Sequence, residues 1–360
     1  MNREKLKSKF LSSPQATIRE VISKIDSNEK GIVLVVNEQG QLIGTVTDGD
    51  IRRAVLVGEM LEAPIEKLLL KKKDTIYPIP ITASTKTPKH DLLKLMQQHK
   101  VRHIPILDEE KRIIDLVIFE DFQPYAGLPL QAVIMAGGYG HRLHSLTEKT
   151  PKPLLLIGQD PILKLIIQQL REAGITRISV STHYQAEKIT EHFGDGKDLG
   201  VSLQYLTEDS PLGTAGSLAL LKDFKEPLLV INGDILTKVS FRAMLEFHQE
   251  HKAELTMGVQ TYDVQMSYGI VETQGGYVER LTEKQKFTYL VNAGIYLIEP
   301  SVQSLIPKKQ RFDMTDLIQK LLAANRPVAS FPIREYWLDI GSPGDYEQAQ
   351  GDIQNGRYRI

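Results

Sequence analysis

An internal repeat in the first third of the chain constrains its fold more than any other feature. Shifting residues 32–50 along by 71 positions, without a gap, lays Val33 on Ile104, Val35 on Ile106, Val36 on Leu107 and Asn37 on Asp108. The same shift lays Leu42 and Ile43 on Ile113 and Ile114, and Asp50 on Asp121. Each copy must then form the same unit and bury the same face, which settles the architecture before any single element does. Both copies read as an apolar strand, a turn (37–40 or 108–111), a second strand, and a helix or its start. Upstream, residues 17–26 and 89–100 carry apolar side chains at helical spacing: Ile18, Val21, Ile22 and Ile25, then Leu92, Leu93, Leu95 and Met96. The expectation is a tandem α+β module of βαββα type.

Over about residues 8–123 this repeat resembles a pair of cystathionine β-synthase (CBS) modules, most closely at Gly44-Thr45-Val46-Thr47-Asp48-Gly49-Asp50 followed by Ile51-Arg52-Arg53. The resemblance implies that Thr47 and Asp50, at a strand-to-helix junction, hold the phosphate and ribose of an adenine nucleotide. Their chemistry agrees, because a hydroxyl and nearby N–H groups donate to phosphate, whereas a carboxylate repels phosphate and suits ribose hydroxyls. Both residues equally suit a plain cap on a helix over 51–56. The second copy has Asp115 for the glycine and Ile118 for the threonine and keeps only Asp121, so one ligand per chain is expected. CBS pairs often associate face to face, which implies a homo-oligomer.

The register changes at Leu130. An apolar strand over 131–136 is followed by helices expected over 162–173, 187–193, 215–221 and 240–251, alternating with strands over 178–182, 203–206 and 228–232. Strand, helix, strand at this spacing predicts an α/β domain with a mostly parallel sheet covered on both faces. Between the two parts, residues 123–129 hold two prolines and a glycine, which break a continuing element. The expected plan is a CBS pair over 1–123, a linker over 124–129 and a second domain over 130–360.

Gly137-Gly138-Tyr139-Gly140-His141-Arg142-Leu143 follows the apolar strand, and glycines there let backbone N–H groups approach a phosphate. The spacing fits neither a P-loop nor a dinucleotide fingerprint. Leu146-Thr147 and Pro151-Lys152-Pro153-Leu154-Leu155 come next, so Arg142 and Lys152 flank the turn. This segment resembles the signature of sugar-1-phosphate nucleotidylyltransferases. Further motifs follow in that family's order: Glu208 with 211–216, Asn232-Gly233-Asp234, Tyr268-Gly269-Ile270-Val271, Glu283-Lys284, Asn292-Ala293-Gly294-Ile295-Tyr296 and Trp337-Leu338-Asp339-Ile340-Gly341. The resemblance covers about residues 130–350 and implies a Rossmann-like domain. Departures are His141, where Thr or Ser is common, and Gln285, where Pro is frequent.

The reaction it implies is attack of a sugar 1-phosphate oxygen on the α-phosphorus of a nucleoside triphosphate with loss of pyrophosphate, which gathers negative charges that cations must offset. The resemblance implies that Asp234 and Asp339 meet at one Mg²⁺, whose usual shell is carboxylate, water and phosphate oxygen. It places Arg142 on the triphosphate and Lys152 near the transferring phosphoryl group as the catalytic cations. Gly137, Gly138, Gly140, Glu208 and Gly213 fall on the nucleotide, and Tyr268, Gly269, Glu283, Lys284 and Asn292 on the sugar phosphate, with Lys284 on its phosphate. Glu208 stands where the family reads the base. A carboxylate only accepts hydrogen bonds, and guanine offers adjacent N1–H and N2–H donors, so GTP is expected over UTP or dTTP.

Charge and composition narrow the alternatives. Lys and Arg number 44 against 45 Asp and Glu, a net charge of −1, so no global basic field holds nucleic acid or a membrane. The absence of cysteine removes disulfides, thiolate metal sites and a cysteine nucleophile, and fits a reducing compartment. The first ten residues are charged, with no apolar signal core, and no run reaches the ~18 apolar residues of a membrane span. A soluble, cytoplasmic protein is expected. The chain ends at Ile360, soon after the second metal motif, so a hexapeptide-repeat helix and its acetyltransferase activity are not expected. Two rival readings stand beside the enzyme. One is a nucleotide-sensing regulator with an inactive transferase domain, which the intact Asp234, Asp339, Arg142, Lys152 and Lys284 oppose. The other is a glycosyltransferase of similar fold, which would need an Asp-x-Asp motif at a strand end after residue 130.

Overall fold

The computed structural model describes residues 9–28, 30–72, 78–122, 127–222 and 224–358. It divides into two compact units, Met1–Ala126 and Gly127–Ile360. Residues 124–126 of the expected linker lie outside the described residues, as do Gln123 and the side chain of His141. Gly127 onward belongs to the second unit, where Leu128 and Leu130 are buried. Among the described residues no helix is long and apolar enough to cross a membrane.

In the first unit the repeat is expressed down to its irregularities. Strand β1 (Leu11–Ser12) lies parallel to β2 (Ile32–Val36), which pairs antiparallel with β3 (Leu42–Thr47). The second copy repeats this with β4 (Ala83–Ser84), β5 (His103–Leu107) and β6 (Ile113–Ile118). A register shift falls between Val35 and Val36 in one copy and between Ile106 and Leu107 in the other, the same place at the 71-residue offset. The two turns meet, with the Leu42 N–H donating to the Lys111 carbonyl at 3.1 Å. Ile32 and Leu34 share one apolar cluster with Ile113, Leu116 and Ile118.

The copies part at the end of the second strand. After β3 a helix runs Asp48–Leu56, starting three residues before the expected 51–56 because Thr47 caps it. Thr47 Oγ1 accepts the Asp50 N–H at 3.3 Å, and Asp50 accepts the Thr47 N–H at 2.8 Å, a reciprocal box that satisfies two orphan donors. Lys72 (2.7 Å) and Arg53 (2.8 Å) pair with the same carboxylate. Ile118 has no hydroxyl, so the second copy keeps only half of this cap, the Ile118 N–H on Asp121 at 3.0 Å, and continues as a single 3-10 turn, Phe119–Asp121.

The second unit is built on a seven-stranded sheet of order β11-β10-β7-β12-β17-β14-β18. Its strands are β7 (Gln131–Met135), β10 (Arg177–Thr182), β11 (Ser202–Thr207), β12 (Leu228–Asn232), β14 (Leu255–Gln265), β17 (Lys286–Ile298) and β18 (Val328–Pro332). Only β17 opposes the other six. Three small pairings flank the sheet: β8 (Leu156–Ile157) with β9 (Asp160–Pro161), β13 (Ile235–Thr237) with β19 (Trp337–Asp339), and the hairpin β15 (Ile270–Gln274) with β16 (Tyr277–Thr282). The chain runs from β7 outward through β10 to β11 and then crosses back to β12 on the other side of β7, so the strand order reverses there. In such sheets the crevice beyond the carboxyl ends at that switch is where ligands bind. The helix Ile162–Glu172 buries Ile162, Leu163, Ile166, Ile167 and Leu170, and the helix Met314–Ala323 buries Met314, Leu317 and Leu321 against Val133 and Val230.

A helix over 215–221 does not form. A four-residue turn, Gly213–Gly216, gives way to a 3-10 segment, Ser217–Leu220, because the Ala215 and Gly216 N–H groups turn to the Phe312 carbonyl at 3.0 and 2.8 Å. The cap in the first unit yields a stability test. Thr47→Val removes one half of it and should cost about 1 kcal/mol, seen as about fivefold faster hydrogen exchange in Asp48–Leu56. Burial raises the Asp50 carboxyl, but the charge and hydrogen bond of Lys72, the Thr47 N–H and Arg53 outweigh it and hold it below the ordinary value. Its stabilisation is therefore full above the unfolded value of about 3.9 and disappears as pH falls through the depressed folded value. Unchanged protection in the variant would contradict the cap.

Candidate active site

At the carboxyl ends of β7 and β12 lies a cavity of about 290 Å³, lined by Gly138, Gly140, Arg142, Lys152, Asp234 and Gly341 among others. The Gly233 N–H donates to the Met135 carbonyl at 2.8 Å, and a Cβ at Gly233 would stand 2.7 Å from that oxygen. Only glycine lets the two strand ends come this close. Within the phosphate-binding candidate turn, Gly140 has φ of +70° and a Cβ there would meet Thr147 at 2.9 Å, while Gly138 faces open space. Thr147 holds the turn by donating to the Gly140 carbonyl at 3.0 Å.

The acidic pair is brought together by backbone pairing. In the β13–β19 ladder Ile235 stands opposite Asp339, and the Ile340 N–H donates to the Asp234 carbonyl at 2.9 Å. Lys152, carried on the 3-10 turn Lys152–Leu154 between two buried prolines, places Nζ 2.6 Å from Asp234 Oδ2. The Arg142 guanidinium lies over Gly341, where an added Cβ would come within 2.8 Å of it. Burial first, and then the neighbouring Asp234 charge, push the Asp339 carboxyl above its ordinary value, against the pull of Lys152 and Arg142. Asp339 Oδ1 is buried and accepts no hydrogen bond. Two converging carboxylates, one with an orphaned oxygen, are the donor set a hard divalent cation takes, so these residues fit the Mg²⁺ that the family resemblance implies.

Other predicted residues take different positions. Glu208 is 8 % exposed and already accepts from the Leu212 N–H at 2.7 Å on Oε2 and from the Ser181 hydroxyl on Oε1. It is the hub of its loop, and a base would have to use its remaining lone pairs. At Gly213, φ is +80° and a Cβ would strike Asp313 at 2.5 Å, so packing alone requires glycine there. Tyr268, Glu283 and Lys284 are exposed at the base of the β15–β16 hairpin, where the Glu283 carboxylate covers Gly269 and Lys284 takes a left-handed φ of +48°. No hydrogen bond joins these residues to the acidic pair. Asn292 donates to the Tyr296 hydroxyl at 2.7 Å and accepts the Gly294 N–H at 3.0 Å.

Ser181, His183 and Asn232 stand at the same strand ends without being expected there as site residues. Asn232 Oδ1, at the end of β12 and two residues before Asp234, is buried without a hydrogen-bond partner, and its place in Asn-Gly-Asp is the available signal. Nothing local marked Ser181 or His183, which depend on contacts across strands.

Both parts of the chain resemble known proteins. Residues 131–356 match the nucleotidyl transferase family profile, and residues 13–57 and 76–123 match the CBS domain. The chain is 34 % identical over 231 residues to the mannose-1-phosphate guanylyltransferase catalytic subunit beta of Drosophila melanogaster, covering 62 % of each chain. It is 34 % identical over 228 residues to mannose-1-phosphate guanylyltransferase 1 of Arabidopsis thaliana, covering 60 % of this chain and 63 % of that one. The chain thus spans somewhat under two thirds of these relatives. The crystal structure of HddC from Yersinia pseudotuberculosis superposes with a TM-score of 0.50 at 25 % identity, over 62 % of this chain and 99 % of that one. With the fold, the glycine turn and the acidic pair in place, the chain belongs to the nucleotidyl transferase family, its N-terminal part carrying two CBS domain matches.

Proposed function

We propose that the second unit transfers a guanylyl group from GTP to a sugar 1-phosphate, mannose 1-phosphate by kinship with the relatives named above, and releases pyrophosphate. The observation that carries this reading is the convergence of Asp234, Asp339, Lys152 and Arg142 beside the glycine turn. A phosphate oxygen of the sugar 1-phosphate forms a bond to the α-phosphorus, and the bond to the α–β bridging oxygen breaks, so pyrophosphate leaves with that electron pair. The attacking phosphate is already ionised, so no protein base is required. Arg142 and the turn's N–H groups bind the triphosphate, Lys152 offsets charge gathering at the α-phosphate, and Asp234 and Asp339 hold the cation. Mg²⁺ bound there supplies neutralisation of the phosphate oxygens and alignment of the reacting groups. Tyr268, Gly269, Glu283, Lys284 and Asn292 take the sugar phosphate. The preference for GTP rests on the relatives, since Glu208 already accepts two protein donors.

Asp234→Asn, Asp339→Asn and Lys152→Ala should each lower kcat/KM by about a hundredfold or more in a pyrophosphate-release assay. Near-wild-type turnover in both aspartate variants would remove the metal assignment. Because the Asp339 carboxyl is raised, metal dependence should steepen as pH falls, starting above the ordinary carboxylate value. In a panel of triphosphates and sugar 1-phosphates, GTP with mannose 1-phosphate should give the highest kcat/KM, and a preference for UTP or dTTP would overturn the substrate reading.

For the first unit we propose one adenine nucleotide at Thr47 and Asp50, whose junction also carries the cations Lys72 and Arg53. A homo-oligomer through the CBS pair and a cytoplasmic location complete the proposal. Calorimetric titration with AMP and ATP should show one site per chain that Asp50→Asn abolishes. No heat with the wild type, or equal binding in the variant, would leave Thr47 and Asp50 as a helix cap alone.

A further inference from the structure

Three loops end side by side at the carboxyl edge of β7, β10 and β11, and one imidazole spans them. His183, the first residue after β10, has Nδ1 2.9 Å from the Glu208 carbonyl oxygen and Nε2 3.0 Å from the Tyr139 hydroxyl. A carbonyl oxygen carries no proton, so Nδ1 must donate. In the neutral ring Nε2 is then an acceptor and takes the Tyr139 O–H. Each end of the imidazole therefore has one role, and the tautomer is set by its two partners.

The two ends differ in stiffness. Glu208 is pinned by its N–H to the Thr182 carbonyl at 2.9 Å, by the Leu212 N–H at 2.7 Å and by the Ser181 hydroxyl. Tyr139 instead sits between Gly138 and Gly140, in a turn whose backbone has the most conformational freedom to lose. A turn that is to aim several N–H groups at one phosphate needs an external tether to hold a single shape. Tyr139 supplies it, and its ring is also packed edge-on against His183 at 5.6 Å and tilted against Tyr184 at 5.4 Å.

We propose that the Tyr139–His183 hydrogen bond is a positioning couple that holds the glycine turn in its triphosphate-binding shape, with His183 acting through Tyr139 and touching no reacting atom. The identity of the ligand rests on the proposed function; the couple itself rests on the geometry. Tyr139→Phe removes the hydroxyl and keeps the ring. His183→Asn keeps a donor for the Glu208 carbonyl and loses the group that reaches Tyr139. Both single variants and the double variant should be compared with the wild type by calorimetric titration with GTP and Mg²⁺, and by steady-state kinetics. Each single variant should weaken GTP binding and raise its KM by about tenfold, in the range of one hydrogen bond. The double variant should be no weaker than either, and kcat, the KM of the sugar 1-phosphate and the melting temperature should stay near wild type. Losses that multiply in the double variant, or GTP affinity equal to wild type in the single variants, would overturn the couple. If the wild type binds GTP without turnover, the proposed reaction falls and the couple is judged on binding. If it turns over and the variants match it, the couple falls alone. A wild type that binds no GTP sinks both.

Discussion

Asp234 and Asp339 stand close in a partly buried crevice, where two carboxylates repel each other and water screens them poorly. Much of the second unit can be understood as the means of holding them there. The β13–β19 ladder fixes their backbones, Lys152 is locked between two buried prolines with its ammonium on Asp234, and Arg142 is laid over Gly341. Even so, the Asp339 carboxyl is raised and its Oδ1 accepts no hydrogen bond. This arrangement is incompletely neutralised by protein alone, which is the condition under which a divalent cation and polyphosphate bind together.

The glycines of the site have different causes, and separating them clarifies what a ligand would contact. Gly233 is required by the Met135 carbonyl, Gly213 by Asp313 and Gly140 by Thr147 and its own positive φ. Gly138 alone faces open space. The turn therefore combines packed glycines that set its path with one that leaves room, and the Tyr139–His183 bond acts on the segment between them.

Local pattern made part of this legible in the sequence. The repeat was visible because alternation of period two and the turn residues recur at one offset, and the fold follows that offset into the register shifts at Val35/Val36 and Ile106/Leu107. The strand Leu228–Asn232 and the order of motifs around the site were likewise readable. The expected helix over 215–221 failed because its N–H groups find a better acceptor in Phe312, distant in the chain, which no local propensity encodes. The internal anchoring of Glu208 by Ser181 and Leu212, and the bridge through His183, were illegible for the same reason. Each is one residue whose meaning comes from a neighbouring strand.

The most direct test of the central claim is to count and locate the cation. Mn²⁺ binding, followed by electron paramagnetic resonance with a non-hydrolysable GTP analogue, should show one tightly held ion per chain in the wild type. That ion should be lost in Asp234→Asn and in Asp339→Asn alike. Retention of the ion with unchanged affinity in both variants would contradict the account, because it would place the metal away from the carboxylate pair.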